Sequence, residues 1–119
     1  MNVRRAAPAD KEALHALFDE FEAEVPEPTG FTPTTFEEAW PRYERDMDEA
    51  AVWVAEDDDG TVVGYLDARL EETRGHVAEV YVLPAFRRGG LSRSMLREAV
   101  AELKTKGAVH ITLEVLTSN

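Results

Sequence analysis

Between Glu79 and Arg97 the chain runs through a strand, a proline, a pair of glycines and the start of a helix, and no other stretch limits the fold as much. Val80, Val82 and Leu83 favour a strand, and Pro84 cannot continue a strand ladder. Gly89 and Gly90 then remove side chains where a helix over 91–105 begins, which bares backbone N–H groups at the positive end of the helix dipole. A last strand over 109–116 completes a parallel crossover. Such a crossover is right-handed and puts the loop at the C-terminal end of a strand, where α/β proteins bind ligands. The charges agree with an anion site. The protein carries a formal net charge of −11, yet no acid lies between Glu79 and Glu98, and Arg87, Arg88, Arg93 and Arg97 all do. A bound phosphate is the simplest reason for that cluster.

A length of 119 residues implies one domain over 1–119 with a single modest core. No apolar run approaches the roughly 20 residues of a membrane span, and the N-terminus lacks the apolar centre of a signal peptide. The absence of cysteine removes disulfides, thiolate nucleophiles and Cys-based metal sites, and suits the cytoplasm. No metal site is expected. Thirteen basic against twenty-four acidic residues argue against nucleic-acid binding. The same field steers a cationic co-substrate such as an amine, although acidity also simply keeps a protein soluble.

Residues 2–6 make a short strand candidate around Val3. Pro8 suits a first helical position, Asp10 and Glu12 its first turn, and Leu14, Leu17, Phe18, Phe21 and Val25 keep helical spacing, so a helix is expected over 8–25. His15 reads as a helix-surface residue. The run Pro26 to Thr34 reads either as a plain helix–helix connection or as a mobile segment over a substrate site. Thr34 with Glu37 fits a capping box for a second helix over 35–49, striped by Phe36, Trp40, Tyr43 and Met47. Pro41 should kink that helix or mark where its regular part starts. Trp40 and Tyr43 read as core, with pocket lining as the alternative.

At Ala51 the period changes to that of strands. Strands are expected over 51–55 and 61–70, joined by a turn at Asp57, Asp58, Asp59 and Gly60. No ligands at calcium-loop spacing follow the acidic triplet, so it reads as a turn. Gly64 inside a strand suggests a bulge or a close backbone approach. A turn over 71–75 leads to a strand over 76–83. The helix over 91–105 should bury Leu91, Met95, Leu96, Ala99, Val100 and Leu103, with Lys104 and Lys106 at its negative end and Gly107 as its cap. The resulting order is β-α-α-β-β-β-α-β, a mixed α/β sheet.

The run from Val80 to Leu96 resembles motif A of the GNAT N-acetyltransferases. The family core is Arg/Gln-x-x-Gly-x-Gly/Ala after a strand ending Val-x-Pro. Here it stands as Arg87, Arg88, Gly89, Gly90, Leu91 and Ser92, after Val82, Leu83 and Pro84. The strand around Gly64 and the opening strand plus helix look like the family's first elements, so the resemblance covers essentially the whole chain. Ser92 replaces the second small Gly or Ala, and its hydroxyl is small enough to fit. Asn119 matches an Asn that in the family precedes a further helix and a closing hairpin. The resemblance therefore implies an α/β (α+β) fold with a mostly antiparallel sheet flanked by helices, C-terminally truncated. Either the chain is a fragment or another molecule supplies the remainder.

The implied chemistry is acetyl transfer from acetyl-CoA to the primary amine of a small molecule or peptide, by direct attack on the thioester. The resemblance places pyrophosphate on the N–H groups of Arg88, Gly89, Gly90, Leu91 and Ser92, with charge from Arg87 and Arg88. Pantetheine would pair beside Tyr81, Val82 and Leu83, and Asn119 joins the cofactor-binding set. A backbone N–H near Tyr81 or Val82 would stabilise the oxyanion. Glu79, on the same strand, is the candidate base, with His76 and His110 as runners-up. The family's general-acid Tyr has no counterpart, since Tyr43, Tyr65 and Tyr81 lie elsewhere, but a thiol of pKa about 8.5 can leave as thiolate. A non-catalytic CoA-binding module and an unrelated phosphate-binding domain are the alternatives. Truncation would also bare the 109–116 sheet edge, so a homodimer or pairing with a complementary chain through that edge is expected.

Overall fold

The computed structural model describes residues 1–24 and 35–113. The first strand, β1 (Asn2–Arg5), leads into a 3-10 turn at Pro8–Asp10 and then helix α1 (Lys11–Glu24). The helix expected over 8–25 is thus tightened at its start, and Asp10 is the cause. Its carboxylate accepts the Ala7 N–H at 2.8 Å and both Arg4 terminal nitrogens at 2.8 and 2.9 Å. Val25 lies outside the described residues.

Helix α2 (Phe36–Glu49) starts from Thr35, whose Oγ1 accepts the Glu38 N–H at 3.2 Å. The expected cap, Thr34 with Glu37, is off by one residue. Thr and Glu both occur as doublets here, so two capping registers fit the sequence, and burial of Phe36 selects the later one. Thr34 itself, with the rest of the run from Pro26, lies outside the described residues. Pro41 sits inside α2 without ending it. The buried stripe of Phe36, Trp40 and Tyr43 offsets the hydrogen bond that Pro41 removes.

Strands β2 (Ala51–Glu56), β3 (Val62–Glu71) and β4 (Arg74–Val82) form an antiparallel meander. The acidic triplet is a turn: Asp57 Oδ1 accepts the N–H groups of Asp59 and Thr61, and Gly60 takes a φ of +83°. The next connection is shorter than the expected turn over 71–75. Only Glu72, at φ +55°, and Thr73 separate the strands, because pairing continues to the tip, where Glu71 stands opposite Arg74.

A 3-10 turn at Pro84–Gly89 precedes helix α3 (Leu91–Thr105), and strand β5 (His110–Leu113) then joins β4 in parallel. The sheet order is β1-β2-β3-β4-β5, mixed and mostly antiparallel. Helices α1 and α2 cover one face over Leu17, Phe18, Tyr43, Val54, Tyr65 and Tyr81; α3 covers the other over Leu66, Val77, Val82, Met95 and Leu103. Leu96 and Val100 are half-buried at the margin of α3 rather than core. Gly107 follows α3 at φ +109°. Strand β5 is the sheet's last, with Val109 and Leu113 70% and 59% exposed; residues 114–116 of the expected strand lie outside the described part. Among the described residues no helix is long and apolar enough to cross a membrane.

Gly64 combines both readings suggested for it. The β2–β3 register shifts at Ala55/Glu56, beside its partner, and a Cβ at Gly64 would lie 2.9 Å from the Tyr81 carbonyl oxygen and 3.0 Å from Val82 Cγ2. Gly64→Ala therefore forces backbone β4 to shift. We expect a loss of about 1–3 kcal/mol of unfolding free energy in a urea titration.

Candidate active site

The end of β4 and the start of α3 build the first half of the site. Leu83 N–H donates to Val63 O at 2.9 Å, so by the alternation of an antiparallel ladder Val82 turns its own N–H and C=O away from β3. The Val82 carbonyl accepts Arg87 Nε at 2.8 Å. Arg87 also pairs with Glu24 at the end of α1 and lies 5.5 Å over the Tyr81 ring. That guanidinium therefore ties three elements together. Burial, and then Glu24, push the Tyr81 hydroxyl up to about 12, so it stays protonated at neutral pH.

Gly90 takes the left-handed conformation, φ +78° and ψ 12°, which lets the 3-10 turn swing directly into α3. No side chain caps the helix, and its first backbone bond runs from Ser94 N–H to Gly90 O. The N–H groups of Leu91, Ser92 and Arg93 are therefore open donors at the positive helix end. Those of Arg88 and Gly89 lie within the 3-10 turn. Gly89 and Gly90 are exposed, as are Arg88, Arg93 and Arg97, which form no ion pair among the described residues. An uncapped helix start with uncommitted guanidinium groups beside it suits a multiply charged phosphate ligand.

Glu79 provides the second half. It sits on the α2 side of β4, its side chain 14% exposed, and its Oε2 accepts the Tyr43 hydroxyl at 2.8 Å and an Arg42 nitrogen at 3.2 Å. The Tyr65 hydroxyl lies 3.5 Å from Oε1, too far for a strong bond. Burial and the Glu79 charge push the Tyr43 phenol up, and burial likewise pushes Tyr65 up, so both remain donors.

Tyr43 is a core ring, as expected, but its hydroxyl joins the site, a function its apolar stripe conceals. His76 stands at the hairpin end of β4 with its Nδ1 2.9 Å from Thr112 Oγ1, and exposed His110 lies opposite Arg74. Asn119 is outside the described residues. Arg42, Asp46 and Asp67 were not anticipated. A charged residue at 67, directly after the apolar run from Val62 to Leu66, was the available signal. Among the described residues no group of three or more His, Asp or Glu gathers to hold a metal ion.

Residues 12–119 match the model of the acetyltransferase (GNAT) family. A subunit homologue of an N-terminal acetyltransferase complex from Dictyostelium discoideum is 39% identical over 71 residues, covering 56% of this chain and 35% of that protein. An N-alpha-acetyltransferase of Caenorhabditis elegans is 37% identical over 73 residues, with 56% and 40% covered. The chain thus spans well under half the length of these curated relatives. Among solved structures, a ribosomal-protein-alanine N-acetyltransferase from Brucella melitensis superposes with a TM-score of 0.76 at 27% identity, over 95% of this chain and 73% of that one. A Mycobacterium tuberculosis protein in complex with CoA shares the fold at a TM-score of 0.73 and 21% identity, with 95% and 63% covered. With the open helix start after β4 and this match over nearly its whole length, the chain belongs to the GNAT acetyltransferase family.

Proposed function

We propose that residues 1–119 form a single GNAT domain that binds acetyl-CoA and transfers its acetyl group to an amine. The observation that carries this reading is the uncapped start of α3, placed directly after a strand that holds a carboxylate three residues before its end. The donors of Leu91 and Ser92, with the flexible turn of Gly89 and Gly90 and the charge of Arg88, suit the pyrophosphate. Arg87 adds charge while bracing the strand end. Tyr81, Val82 and Leu83 offer a strand edge to the pantetheine arm, and Asn119 completes the proposed cofactor set.

Acetyl-CoA supplies the thioester. An alkyl ammonium has a pKa of about 10.4, so the acceptor must shed a proton before its nitrogen can attack. Glu79 takes that proton on Oε1, the oxygen left without a close donor. The Val82 N–H, turned away from β3, stabilises the oxyanion as the carbonyl becomes tetrahedral. The carbon–nitrogen bond forms, the carbon–sulfur bond breaks, CoA leaves as thiolate, and that thiolate takes the second proton that the nitrogen sheds as it becomes an amide. The acidic net charge supports a cationic acceptor.

Acetyl-CoA should raise the melting temperature and ATP should not, and free CoA thiol should appear on addition of amines. Stabilisation without thiol release from any of a panel of peptides, polyamines and aminoglycosides would assign a binding module instead. Gly90→Val is expected to abolish the acetyl-CoA shift, because a β-branched residue resists the left-handed φ and crowds the donors. An unchanged shift would remove this loop from the cofactor site.

A further inference from the structure

Glu79 stands directly opposite Asp67 across the β3–β4 ladder, and both side chains point toward α2. Like charges at such a position repel, so one of the two must be neutral or both compensated. Asp67 is wholly buried, and among the described residues no donor reaches either of its oxygens. Arg42 Nε stays 3.6 Å away and Arg69 4.0 Å. Asp46 of α2 shares Arg69 with it, the guanidinium lying 3.7 Å from Asp46. A wholly buried carboxyl with no donor at either oxygen is more stable as the neutral acid.

Burial raises both carboxyls, Asp67 well above its ordinary value. Asp67 therefore carries a proton. Asp46 keeps its charge, with Arg69 and Arg45 nitrogens 3.7 and 3.8 Å away. His76, opposite Arg69, borders the cluster from β4, and α1 contributes apolar side chains to this face.

Resting on the reading of Glu79 as the base, we propose that Arg42 and Tyr43 are positioning residues that fix its carboxylate, and that Asp67 opposite it is a neutral carboxylic acid. The division of labour follows from the geometry. Arg42 and Tyr43 occupy Oε2 and leave Oε1 to receive a proton. An ionised Asp67 would compete for Arg42 and repel the Glu79 charge. A neutral one leaves Arg42 to Glu79.

The test is a carbon-13 NMR titration of side-chain carboxyls in the intact chain, alongside the pH profile of kcat/KM. Asp67 should remain protonated through neutral pH. Tyr43→Phe removes one charge-assisted bond. It should shift the Glu79 titration and the acid limb of kcat/KM upward by about one pH unit, with KM unchanged. An Asp67 that titrates in the ordinary carboxylate range overturns the neutral-acid assignment, and that measurement needs no variant. A Glu79 titration indifferent to Tyr43→Phe overturns the positioning role. Both readouts are independent of whether Glu79 is the base, which Glu79→Gln kinetics decide separately.

Discussion

Glu79→Gln should lower kcat/KM for the amine by about 10²- to 10⁴-fold while acetyl-CoA still raises the melting temperature. Gln keeps the shape of Glu79 and can still accept the Tyr43 hydroxyl, so the site should hold its form. What it loses is the ability to take a proton. At neutral pH only on the order of one amine in a thousand is uncharged, so an enzyme without a base must wait for that fraction. The deficit should accordingly shrink as pH rises toward 10. A variant with wild-type kcat/KM at pH 7 would remove Glu79 from the reaction and turn attention to His76 and His110.

The second large effect lies on the opposite face. Glu102 of α3 accepts Arg5 at 2.6 Å, Trp53 Nε1 at 2.8 Å and Lys106 Nζ at 2.9 Å. Lys106 also donates to the Ala50 and Asp48 carbonyls, at 2.6 and 3.3 Å, just past and within the last turn of α2. One carboxylate thus links β1, β2, α3 and the end of α2. Glu102→Ala should cost about 3 kcal/mol, the lower end for breaking a buried charge cluster, because exposed Arg5 can turn to water. Glu102→Gln, which still accepts the Trp53 N–H, should cost less. Chemical denaturation of the two variants measures the difference, and equal, near-zero losses would show the cluster to be dispensable.

The same cluster sets a pH dependence. Burial alone would raise the Glu102 pKa, but the bonds from Lys106, Trp53 and Arg5 outweigh it and hold the carboxyl below its usual value. A group depressed in the folded state contributes its stability above the unfolded pKa, near 4.3, and loses it as pH falls through the folded value. Glu102→Gln should flatten part of the fall in melting temperature below about pH 4. Asp10, held low chiefly by Arg4, loses its contribution over the same acid range and accounts for a further part.

Local chemistry made much of the chain legible. Pro84, the glycine pair and the apolar spacing of α3 act within a few residues, so they specify strand, turn and helix without knowledge of any partner. The Asp57–Gly60 turn and the order of all the elements follow in the same way. Where the pattern was ambiguous, as with the Thr and Glu doublets before α2, burial of Phe36 decided.

The surroundings of Glu79 could not be read so. Alternation alone puts Glu79 on the same face as Val77, which lies in the core under α3. The β3–β4 register shifts between Asp67 and Ala68, so Val77 pairs with Ala68, Glu79 with Asp67, and Ala78 is the extra residue between. That one-residue bulge turns Glu79 to the other face, where α2 presents Arg42, Tyr43 and Asp46. The sequence by itself determined a helix start open to an anion and a strand bearing a carboxylate, because propensity and backbone sterics act locally. The tertiary structure alone decided what that carboxylate meets, because strand register and the seating of α2 depend on packing between residues far apart in the chain.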